Sequence, residues 1–244
     1  MTWSAAERQV RVDLAAAYRL AALEGWDDLI YTHISATLPD SPGHYLINPF
    51  GLAFHEITPL NIVKVDIAGR IVDPGAHRVN PTGFAIHGTV HAARADAHCV
   101  MHLHTPAGTA VSMLRCGLLP LSQHAMRFHG NIGYHDYEGV ALEAAEQGRL
   151  VADLGAHKAM ILRNHGTLTC GATVAEAYVL MATLEKACAW QLSAMAASHD
   201  LIVPPEPVLQ RSVAQLIDDT VPEGELEWPS LLRRVRASDP AFEG

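Results

Sequence analysis

The stretch HCVMHLHTP, residues 98–106, places three histidines within seven positions and ends at Thr105-Pro106. Cys99, Val100, Met101 and Leu103 make it short and apolar, which suits a buried strand, and Thr105-Pro106 reads as the N-cap and first position of a helix. Side chains alternate along a strand, so His98, Val100, His102 and, if the strand persists, His104 share one face, while Cys99, Met101 and Leu103 take the other. Two imidazoles two residues apart on one face can reach a common point. That is a metal-ligand spacing: neutral imidazole is the commonest protein ligand for zinc and a good one for iron or copper. The dipole of the helix starting at Thr105 points toward this site, which disfavours imidazolium and favours an anionic substrate oxygen there.

The rest of the chain supports a strand-and-helix domain. Ser4 followed by Glu7 predicts a capped helix running to Gly25. Residues 30–39 and 44–49 read as strands, and IVKVDIAGRIVD, residues 62–73, as a hairpin turned at Ala68-Gly69. Residues 83–97 return to helical spacing with His87 and His91 on one face. KAMILRNHG, residues 158–166, repeats the opening logic: a strand over Met160–Leu162 ends in a polar turn bearing His165. Helices are expected after Thr105, over residues 142–154 and from Thr173 onward, and a short one near PSLLRRVRA in the tail. The intermixed pattern predicts an α/β fold, a three-layer α/β/α sandwich with a mixed, mostly antiparallel sheet. No dinucleotide or P-loop fingerprint is present.

Composition narrows the function. With 17 Lys+Arg against 26 Asp+Glu, a net charge of -9 argues against nucleic-acid and anionic-membrane partners. No segment reads as a membrane span or export signal, so a cytoplasmic location is expected. Cys99, Cys116, Cys170 and Cys188 lack C-x-x-C spacing and read as free, buried thiols. Adding His165 to His102 and His104 gives three imidazoles with an open fourth position, the arrangement of a catalytic metal. Zinc is the expected cation, with iron, manganese or cobalt as alternatives.

NPTGFAIHGTVHAARADAHCVMHLH, HLHTPAGTAVSMLRCGLLPLSQHA, GYHDYEG and ILRNHGTLTCG, in this order, resemble the class II aldolase/adducin family, closest to its adducin-like branch, over roughly residues 8 to 200. The resemblance implies a homotetramer with sites at subunit interfaces and a divalent metal on His102, His104 and His165. It assigns residues 1–203 to the aldolase-like domain and leaves 204–244 as an arm over that domain or a neighbouring subunit.

The departures from the family pattern bear on substrate. The family's acid/base glutamate falls on Gly83, and its phosphate-holding pairs fall on Thr32-His33 and Pro81-Thr82, where only Thr82 keeps a serine-like hydroxyl. A non-phosphorylated substrate is therefore implied. His33, Gly51, Thr82 and Gly83 are candidate substrate contacts, the two glycines through close backbone approach or a left-handed turn. Candidate bases are His124, His87, His135, Asp136 and Glu138. His124 is preferred because histidine can serve as base or acid near neutrality, and the resemblance places a tyrosine used by some relatives close to its position; Glu138 is kept beside it, although the Tyr134–Gly139 segment also reads as an ordinary turn. The leading expectation is a metal-dependent lyase acting on a small hydroxycarbonyl or keto acid. The alternatives are a non-haem iron oxygenase of the same fold and a non-catalytic adducin-like scaffold of the cytoskeletal, actin-binding type.

Overall fold

A computed structural model describes residues 3–72, 77–80, 83–139, 144–217 and 221–243. Among them are seven strands in one sheet, order β3-β2-β1-β4-β7-β6-β5. They are β1 (His33–Thr37), β2 (His44–Ile47), β3 (Val63–Asp66), β4 (Cys99–Leu103), β5 (Gly133–His135), β6 (Ala159–Leu162) and β7 (Gly166–Gly171). Every pairing is antiparallel except β5 with β6.

The opening stretch forms the central strand, and its alternation holds. Cys99, Met101 and Leu103 join one core with helices α1 (Ala5–Leu23), α6 (Val174–Ala197) and α8 (Trp228–Ser238). Val100 faces the opposite layer, with Val90 of α2 (Thr89–Ala93) and Leu150 and Leu154 of α5 (Ala144–Leu154). Two helical layers thus cover the sheet, as the pattern predicted. α3 (Pro106–Ser112) follows β4 directly, and α4 (Gln123–Met126) and α7 (Glu206–Leu216) complete the set.

Local signals explain most element ends. The Ser4 hydroxyl accepts from Glu7 N at 3.0 Å and Thr173 from Glu176 N at 3.0 Å, each satisfying an orphan donor of a first turn. Gly25, at φ 70°, takes the left-handed position that ends α1.

Several expectations need correction. The second arm of the hairpin after Gly69 reduces to one isolated bridge, Val65 to Ile71. Residues 83–93 open with a π-helical turn, Phe84–Gly88, before α2. β7, α4 and α7 carry no prior expectation: β7 reads GTLTCG, with glycine at both ends and with Thr167 and Thr169 buried as fully as Leu168 and Cys170. Cys116 is exposed, whereas Cys99, Cys170 and Cys188 are buried free thiols. The tail packs on its own chain, with Trp228 Nε1 donating to Asp13 at 2.8 Å and Arg19 paired with Asp239 at 2.6 Å.

Candidate metal centre

β4 and the β6–β7 turn bring His102, His104 and His165 together. Their candidate ligand atoms all lie within 4.8 Å of one another, and the ring centroids are 4.7 to 5.2 Å apart. His102 stands in the middle of the sheet, opposite His33 of β1 and Leu168 of β7. His104 lies just past the strand end. His165 follows Asn164, whose φ of 56° turns the chain sharply, a conformation asparagine tolerates. Gly166 then passes so close to β4 that a Cβ there would sit 2.7 Å from the Leu103 carbonyl oxygen and 2.9 Å from the His104 ring.

Hydrogen bonds decide which nitrogen of each ring is available. His102 Nδ1 lies 3.1 Å from the Thr167 carbonyl oxygen, which can only accept, so Nδ1 carries the proton and Nε2 the lone pair. His104 Nδ1 lies 2.9 Å from Asp28 Oδ2, with the same consequence. Nε2 of His104 is buried without a hydrogen-bond partner. An orphaned lone pair costs on the order of 1–3 kcal/mol, and a cation removes that cost. Burial, followed by the neighbouring imidazoles, lowers the basicity of His102 and takes the His165 pKa down to about 4. His102 and His165 are therefore neutral at pH 7, as ligation requires. The three donors therefore fit a divalent metal with open positions.

Sequence reasoning missed Asp28, because the carboxylate comes from a loop seventy-six positions upstream of His104. That loop holds Leu29 at φ 53° and Thr32 at φ 63°, strained values for residues with a Cβ.

The dipole argument also needs revision. The first free N–H groups of α3, at Ala107 and Gly108, are taken by the two carboxylate oxygens of Glu185 on α6, at 2.8 and 2.7 Å. The protein supplies its own anion there, so this helix end does not stand ready for a substrate anion. Thr105 takes the N-cap position without capping through its side chain.

The other candidates fall in separate places. His33 is buried next to the trio, its pKa lowered to about 4 by burial and then by His104. Its ring carbons lie 3.4 Å from where a Gly83 Cβ would stand. Gly83 has φ -60°, so its role is close packing rather than a left-handed turn, whereas Gly51, at φ 106°, does make one. Thr82 lies outside the described residues. The His124 ring meets Trp190 of α6 edge-on, centroids 4.7 Å apart. Glu138 is bound by the Arg149 guanidinium, which holds its carboxyl below the usual range. A permanently ionised, bonded carboxylate is a poor match for a base tuned near neutrality.

His87 and His91 do share a face, bridged by the Ser35 hydroxyl at 2.7 Å to each ring. His91 Nδ1 donates to the Ala97 carbonyl oxygen at 2.8 Å, so its Nε2 accepts from Ser35, and Ser35 accepts from His87 Nδ1.

Residues 12–192 match the family model described as Class II Aldolase and Adducin N-terminal domain. The chain is similar to an aldolase II superfamily protein from Pseudomonas syringae, with 48% identity and a TM-score of 0.94, covering 98% of this chain and 97% of that one. It is similar to the L-fuculose 1-phosphate aldolase from Glaciozyma antarctica PI12, with 29% identity and a TM-score of 0.87 over 100% and 96% of the two chains. Alpha-adducin of Mus musculus is 45% identical over 195 residues, which span 79% of this chain and 26% of the adducin. With one imidazole on β4, a second just past its end, a third in the β6–β7 turn, and the family model extending over all three, the chain belongs to the class II aldolase and adducin family.

Proposed function

We propose that the protein is a divalent-metal-dependent lyase of the aldolase type acting on a small, non-phosphorylated hydroxycarbonyl or keto-acid compound. His102, His104 and His165 would hold the metal, and zinc suits three neutral imidazoles with an open position. The carrying observation is the convergence of these ligand atoms within 4.8 Å, with the Nε2 of His104 buried and unpartnered. A divalent cation there supplies Lewis-acid polarisation of a carbonyl.

The chain's own residues do the rest. Thr167 and Asp28 fix the tautomers of two ligands. The His33 ring packs beside Gly83, the position of the family's missing glutamate, which supports an uncharged or carboxylate-bearing substrate over a sugar phosphate. His124 as a catalytic residue, and a homotetramer with sites at subunit interfaces, belong to this proposal. Residues 204–244 are then an arm on the 1–203 domain.

Metal content near one per chain, lost in His102→Ala, together with metal-dependent carbonyl release from a 4-hydroxy-2-oxo acid, tests the reading. A wild-type chain that takes up no divalent metal overturns it. The adducin similarity favours a second reading, a scaffold that keeps the metal for shape alone. Full metal occupancy with no turnover on any hydroxycarbonyl or keto acid, alongside a defined protein partner, would select it. Oxygen consumption with Fe(II) would select the oxygenase.

A further inference from the structure

Next to the trio, on the outer side of His165, is a second histidine with a different set of partners. His135 ends β5, opposite Leu162 of β6, and is 5% exposed. Its Nδ1 lies 2.7 Å from Asp153 Oδ2, at the end of α5, so the carboxylate orients the ring and accepts the Nδ1 proton. Its Nε2 is buried without a hydrogen-bond partner, 4.0 Å from Oε1 of Glu146, which is 6% exposed. His135, Tyr137, Glu146 and His165 line one cavity of about 10 Å³. A space of roughly 10–15 Å³ admits a single water molecule, and two polar atoms 4.0 Å apart are spaced to share one.

A carboxylate that positions an imidazole, whose other nitrogen faces a reacting centre, is the arrangement by which histidine accepts a proton. We propose that the Asp153–His135 dyad, acting through one water in this cavity, is the proton-transfer group of the metal centre. The inference rests on the lyase reading above and deepens it by naming the group that takes the place of the glutamate absent at Gly83.

The step balances without a co-reactant. A C–H bond next to a carbonyl of the 2-oxo acid breaks, and its electron pair stays on the substrate. The proton passes to the water while the water gives one of its own to Nε2. The resulting imidazolium is paired with Asp153, and Glu146 faces the same nitrogen. In the reverse direction Nε2 returns the proton. Asp153, 43% exposed at its side chain, connects the dyad to solvent.

Two measurements test this on the full metal-loaded chain. Nitrogen-15 NMR of labelled histidine is expected to show His135 with its proton on Nδ1, in a hydrogen bond that disappears in Asp153→Ala. A proton on Nε2 of neutral His135 overturns the proposal. Exchange of the pyruvate methyl protons in D2O is expected for the wild type and to fall about 10²-fold or more in His135→Ala, with metal content and KM preserved and the rate restored by added imidazole. Asp153→Asn, which keeps the histidine, is expected to lower the rate with no imidazole rescue and serves if the alanine variant does not fold. A wild type that exchanges while both variants match it removes the dyad and leaves the lyase reading standing. A wild type without exchange removes both.

Discussion

Asp28 and His104 are joined at 2.9 Å, a carboxylate on the Nδ1 edge of an imidazole whose Nε2 is buried and unpartnered. Such a partner fixes the tautomer and raises ligand basicity, and its loss costs about 10–100-fold in metal affinity. Asp28→Asn is expected to weaken zinc binding by that factor with an unchanged circular dichroism spectrum. Competition against a chromophoric chelator measures it, and wild-type affinity in the variant would refute the role.

Gly166 is required by space and not by backbone angle. A methyl group there meets the Leu103 carbonyl oxygen at 2.7 Å and the His104 ring at 2.9 Å. Gly166→Ala is expected to displace His104 and part the β4–β7 ladder, lowering both metal content and the urea midpoint. A variant with normal stability and full metal would show that the strand pair adjusts freely.

Glu185 holds α3 to α6 by accepting from two backbone N–H groups. Bonds to a charged group contribute about 1.5–3 kcal/mol each, and solvent reaching this half-buried position reduces the sum. Glu185→Gln, which keeps the shape and removes the charge, should cost about 2 kcal/mol in a urea titration. A change below a few tenths would show that water replaces the carboxylate.

Stability should fall on mild acidification. Burial takes the His91 pKa to about 4, and His87 is likewise lowered, first by burial and then by His33 and His91. Both imidazoles keep near-normal basicity when unfolded, about 6.5. Above that value both states are neutral and nothing is gained or lost. As pH falls from about 6.5 toward 4 the unfolded chain takes up protons that the folded chain refuses, so stability drops, on the order of 3 kcal/mol for His91 alone. Unfolding titrations at pH 7.5, 6 and 5 check this, and a flat profile would mean that these rings titrate freely in the native state.

What could be read from the letters follows from how local each signal is. The β4 alternation, the Ser4 and Thr173 caps and the Gly25 stop depend on neighbours within a turn or two, and each stands as expected. The metal trio was legible because H-x-H places two imidazoles at and just past one strand end and a polar turn after a second buried strand offers the third. Strand β7 was not, since glycines at both ends read as breakers around a run of only four other residues. Asp28, Glu185 and Asp153 were invisible for another reason: each acts on a group 18 to 78 positions away. Glu138 has a partner that the letters did not show, the Arg149 guanidinium eleven positions on.

The trio also has a bearing on assembly of the fold. His102 belongs to β4, and His165 precedes β7, which lies alongside it with His102 facing Leu168. Sliding either strand by one residue would turn an imidazole to the wrong side of the sheet. A bound cation is thus a gauge of strand alignment: cobalt colour or zinc-quenched fluorescence, followed during refolding, would time the moment at which the two middle strands lock.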